Sequence, residues 1–131
     1  MAKITCDFVM TGHGLDPAIL TQALSIQPTR TWREGEQIQR TLLRRKKDGW
    51  LLSTGPMESL DVQEVALPLL ATLRPLAHKL LALAVELGVE AHISYTVIVE
   101  EGESVPAIHF DRAMLETVNQ LHAEIDVDLY A

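Results

Sequence analysis

A chain of 131 residues with 47% hydrophobic and 22% charged side chains is sized for one domain whose core needs no disulfide or metal staple. Its net charge of −7 works against nucleic acid, because an acidic body is repelled by phosphate at long range. The single cysteine, Cys6, excludes an internal disulfide and fits a reducing compartment, and with no leader-like apolar run at the start a cytoplasmic, bacterial-type protein is expected.

Along the chain, Ile4, Cys6, Phe8 and Met10 alternate with Thr5 and Asp7, the period of a half-buried strand. After Gly12-His13-Gly14, Asp16 and Pro17 supply the cap and first-turn chemistry of a helix with Ile19, Leu20, Ala23 and Leu24 on its apolar stripe. Residues 29–33 read as extended. Residues 40–45 and 50–54 read as two strands joined through Lys46-Lys47-Asp48-Gly49, because Asp-Gly between strand-like runs signals a hairpin. Asp61 and Glu64 open a second helical pattern whose apolar positions run from Val62 to Leu87 before Gly88. Pro68 and Pro75 lie inside it, so a kink or a break near Arg74-Pro75 is expected. Those prolines, with Arg74, His78, Lys79 and Glu86, argue against a membrane span. Val89, Ala91, Ile93, Tyr95, Val97 and Val99 form the clearest strand, with residues 105–110 as its expected hairpin partner. Asp111 caps a last helix, and Ile125, Val127 and Leu129 mark a closing strand. The order β-α-β-β-β-α-β-β-α-β predicts a single α+β domain over residues 1–131, with a mainly antiparallel sheet and the helices on one face.

Charge is uneven along this order. Residues 30–47 hold seven of the eleven basic side chains against two acidic ones, a local charge of +5. The rest carries four basic and sixteen acidic side chains, −12. The basic run is either a solvated hairpin or a site for an anion or acidic partner. Within it, Arg30, Trp32 and Arg33 are residue types that concentrate in interaction hot spots. Asp126 and Asp128 project from one strand face with Tyr130, and Asp7 joins them if the first and last strands pair. Arginine grips carboxylates in two-pronged fashion, so Arg30 or Arg33 is expected to meet Asp126 or Asp128, either within the fold or at a partner. Trp50 is expected to be packed, and Trp32, flanked by arginines, partly exposed. There is no phosphate loop, no nucleophile elbow and no histidine–cysteine spacing for a metal, so no catalytic residue, cofactor or metal is expected.

The run Pro28-Thr29-Arg30-Thr31-Trp32-Arg33-Glu34-Gly35-Glu36, the later Gly49-Trp50-Leu51-Leu52-Ser53-Thr54 and the ending Ile125-Asp126-Val127-Asp128-Leu129-Tyr130 resemble the small bacterial proteins of the domain of unknown function 4279. The beginning, Phe8-Val9-Met10-Thr11-Gly12 with Leu15-Asp16-Pro17, fits the family's start. The resemblance spans nearly the whole chain and implies a compact single-domain protein without an assigned activity.

Three functions follow from these residues. One is a non-enzymatic binding protein, in one concrete form an immunity-type protein whose acidic surface masks a basic partner protein; opposite charge speeds such encounters. Another is a small-ligand or enzymatic site built from Arg30, Trp32, Trp50, Asp126, Asp128 and Tyr130. The third is a self-associating structural protein. A protein partner or homo-oligomer is expected, with neither nucleic acid nor membrane.

Overall fold

In the computed structural model, which describes all 131 residues, β1 (Lys3–Gly12) leads into α1 (Pro17–Leu24). Asp16 caps α1 by accepting from the Ala18 N–H, and Ser25 ends it in the left-handed conformation at φ 55°. β2 (Arg30–Trp32) and β3 (Asp48–Glu58) follow. α2 (Val62–Leu73) passes through a 3-10 turn at Arg74–Leu76 into α3 (Ala77–Leu87). The break falls where Pro75 removes a backbone donor. β4 (Glu90–Ile98), α4 (Arg112–Gln120) and β5 (Ala123–Tyr130) complete the chain.

The five strands lie in the order β2-β3-β1-β4-β5. The first three contacts are antiparallel and β4–β5 is parallel. This is the expected α+β domain, with a sheet that is mostly antiparallel. Ile4, Cys6, Phe8, Met10, Trp50, Ile93, Tyr95 and Val97 share one core with Leu20, Leu24, Val65, Leu69, Leu73, Met114 and Val118 from the helices. The helices therefore cover one sheet face, and the alternate residues, Thr5, Asp7, Val9, Thr11, His92, Ser94 and Thr96, stay half-buried on the other. Val62–Leu87 is apolar enough by length and composition to cross a membrane. Its inward side chains, Val62, Val65, Ala66, Leu69, Leu70, Leu73 and Leu80, are instead buried.

Two expected strands shrink to single bridges. Residues 40–45 contribute only the pairing of Gln37 with Arg44, and residues 105–110 only that of Ala107 with Asp61. Both edges of β4 are already occupied, by β1 and by β5, and Pro106 has no N–H to offer a ladder. The Asp48-Gly49 hairpin is also corrected, since both residues lie inside β3. Glycine is needed at 49 for a close approach, not for a turn. A Cβ there would stand 2.0 Å from Cε2 and 2.1 Å from Cζ2 of Trp32, whose ring lies on the bare backbone. The loop joining β2 to β3 is therefore long, residues 33–47, and carries the basic run.

Candidate functional site

Trp32 is 7% exposed, which overturns the expectation of a partly exposed ring. Gly49 floors it from the neighbouring strand. On the other side the Arg45 guanidinium lies 4.1 Å and that of Arg30 5.6 Å from the ring centroid. Stacking on an aromatic face lets an arginine stay partly buried. Burial, and then the neighbouring Arg30 charge, lower the Arg45 pKa from its usual value.

Arg33 turns away from this cluster. Its Nε meets Asp48 Oδ1 at 3.1 Å, and its Nη1 lies 3.8 Å from Asp16 Oδ1. Asp48 also accepts the Glu34 N–H at 2.7 Å. That backbone hydrogen bond first, and the Arg33 side chain after it, hold the Asp48 carboxyl below its ordinary pKa. Arg33 thus ties the start of the loop to the sheet and to the cap of α1. Trp50 is fully buried on the helix face, where its Nε1–H donates to Thr21 Oγ1 at 3.1 Å. It holds α1 to the sheet and presents nothing to a ligand.

Asp126, Asp128 and Tyr130 are exposed together on β5, on the open sheet face, with Glu124. No arginine reaches them. β2 and β5 are the two edges of the sheet, about 19 Å apart at four strand spacings of about 4.8 Å. The expected pairing of Arg30 or Arg33 with Asp126 or Asp128 does not form, and the seven residues singled out from the sequence fall into a cationic edge, an acidic edge and a buried tryptophan. Asp7 reaches the acidic patch although β1 and β5 do not pair, because Ser94 of β4 stands opposite both Asp7 and Asp126. Asp7 Oδ1 is buried and has no hydrogen-bond partner in the chain.

His92 and Glu124 complete the acidic edge. The imidazole Nδ1 lies 3.6 Å from Glu124 Oε2 and 3.6 Å from Asp126 Oδ2. The sequence signal for this was only parity, His92 on the polar face of its strand, because the partner across it depends on the parallel register. A cleft of about 390 Å³ at this end of the sheet is lined by Val89, Glu90, Ala91, His92, His122 and Glu124. A second concavity, also about 390 Å³, sits under the basic loop and is lined by Thr11, Trp32, Ile38, Leu43, Arg44, Arg45, Lys46 and Lys47. No group of three or more histidine, cysteine, aspartate or glutamate side chains is placed to hold a metal ion.

The model of the domain of unknown function DUF4279 matches residues 2–131. The chain belongs to that family. Comparison with curated proteins and with solved structures finds no match. The motifs that resemble DUF4279 now have physical roles in this chain. The Pro28–Glu36 run builds the Trp32 edge and its Arg33 tie, Gly49-Trp50 receives one tryptophan ring and anchors the other, and the Asp126–Tyr130 ending forms the acidic edge.

Proposed function

We propose that this DUF4279 chain is a non-enzymatic binding protein whose acidic half-sheet masks a basic partner protein, in the manner of an immunity protein. One observation carries the reading: the β4–β5 half of the open face is uncovered and acidic, and the chain does not neutralise it. Glu124, Asp126 and Asp128 are exposed there, met only by His92, and Asp7 adds an acceptor with no partner. Of the acids facing this side, Glu90 alone has a cation, Lys47, at 3.2 Å. A half-sheet of this kind attracts cations at long range and offers carboxylates in register to lysine or arginine side chains. The reading places the protein in the cytoplasm of its host.

A charge-reversed variant carrying Glu124→Lys, Asp126→Lys and Asp128→Lys provides the test. Both proteins are immobilised and exposed to host lysate at about 0.1 M salt, where the Debye length is about 10 Å. The wild-type chain should retain a basic protein in stoichiometric amount, identified by mass spectrometry, and the variant should lose it. Identical retention on both columns would remove this function.

A further inference from the structure

We infer that the open face is self-complementary: the basic loop of one copy seats on the acidic β4–β5 half of a second copy, and a two-fold axis closes the pair. The inference rests on the reading of that half-sheet as the binding surface, and it names a second copy of this chain as an occupant.

The first support is charge that finds no partner within the chain. Arg33 and Lys47 are the loop's only cations in ion pairs. Arg30, Arg40, Arg44, Arg45 and Lys46 have no acidic partner, in a molecule that carries −12 outside residues 30–47. The second support is shape. Leu42 is 96% and Leu43 66% exposed at the loop's tip. They are held out by a tight turn in which the Ile38 N–H donates to the Leu43 carbonyl and the Leu43 N–H to Thr41 Oγ1. Exposed leucines beside unpaired arginines make an anchor with a cationic collar, which suits docking against an acidic surface.

The third support is register. Trp32 stands opposite Gly49, Gly49 opposite Thr11, and Thr11 opposite Glu90, while His92, two residues on, stands opposite Glu124. The loop's root at Trp32 and Lys47 and the cleft lined by Glu90, His92, His122 and Glu124 therefore lie at the same level along the strands, the loop rooted on the β2–β3 side with Lys47 reaching Glu90, and the cleft opening toward the β5 edge. A two-fold axis parallel to the strands, running between two stacked open faces, keeps that level and exchanges the edges. Each loop then falls on the partner's acidic cleft. An in-plane axis across the strands would instead keep each loop over the partner's β2–β3 edge, away from the acidic β4–β5 half. Because both contacts are made within one pair, assembly stops at a dimer and does not run on into a filament.

Sedimentation velocity of the full chain tests this, from about 10 μM to about 1 mM, the range of weak association. At about 0.1 M salt the sedimentation coefficient should climb from monomer toward dimer, and at about 1 M, where the Debye length is about 3 Å, it should stay monomeric. Two variants sharpen the result, Arg44→Glu with Arg45→Glu in the loop, and Glu124→Lys with Asp126→Lys on the face. Each alone should weaken association at least about tenfold. Their equimolar mixture should recover it, since the reversed loop meets the reversed face and the native loop meets the native face. The face variant alters only exposed side chains, so it remains informative if the loop variant folds poorly. A wild-type chain that stays monomeric throughout, or a mixture no better than its components, overturns the inference. If, in that case, a short oligolysine still shifts the backbone amide resonances of β4 and β5, the acidic half-sheet stands as a binding surface and only its occupant was wrong. If oligolysine shifts nothing, both readings fall.

Discussion

Gly49→Ala measures how Trp32 is held. Replacing an ordinary strand glycine by alanine stabilises a fold by about 0.4–1 kcal/mol, because the unfolded chain loses freedom. Here the new Cβ would lie 2.0 Å from Cε2 of Trp32, where ordinary contact begins at 3.4 Å, so the ring must withdraw by about 1.4 Å. The nearest atoms belong to a bicyclic ring and cannot swing aside singly. A tryptophan buries about 200 Å², and exposing a third to a half of it at about 25 cal/mol per Å² loses about 2 kcal/mol. Displacing Arg45 and Arg30 from the ring adds to that, so the net effect should be a destabilisation of about 1–3 kcal/mol, the range of overpacked sites. Urea melts followed by circular dichroism read the change, with the slope m expected to hold. The decisive background is Trp32→Ala, in which Gly49→Ala should become neutral or stabilising. A Gly49→Ala chain as stable as wild type, or an equal loss in both backgrounds, would refute the stacking argument.

Trp50→Ala should lose about 3–5 kcal/mol in the same melts. Thr21→Val, which leaves the Trp50 N–H without its acceptor, should lose about 1–3 kcal/mol. Asp48 is held below its unfolded pKa of about 4, so the stability it adds is present above that pH and fades as pH falls through the folded value. Asp48→Asn should therefore flatten the acid limb of a stability–pH curve, because its amide oxygen can still accept from Glu34 and Arg33 but carries no charge to titrate; an unchanged limb would count against the tie. Burial pushes the Cys6 thiol up to about 12, so an aromatic disulfide reagent at pH 8 should label it in denaturant and leave it unmodified in the native chain. Asp126→Asn should move stability by no more than about 0.5 kcal/mol, as an exposed substitution does, because no arginine depends on it; a large loss would revive an internal bridge.

Periodicity and end-capping chemistry were legible in the sequence because they are local. Alternation in β1 and β4, the Asp16-Pro17 and Asp111 caps, and the break at Pro75 all express interactions within a few residues, and the α+β class follows from their order. The family was legible in three short motifs. What misled was also local in kind. Asp48-Gly49 has the composition of a hairpin turn, yet its glycine answers to a tryptophan seventeen residues away, and no short window of sequence contains that contact. Trp32 looked exposed because arginines flank it in the chain, yet Arg30 beside it and Arg45 from the far end of the loop cover its ring. Above all, strand order is a property of the sheet. Whether Arg30 meets Asp126 depends on which strands lie between them, and three do. The chain alone determined which side chains share a strand face; only tertiary pairing decided that Arg30 and Arg33 would stand on the opposite edge from Asp126 and Asp128, too far apart to neutralise each other.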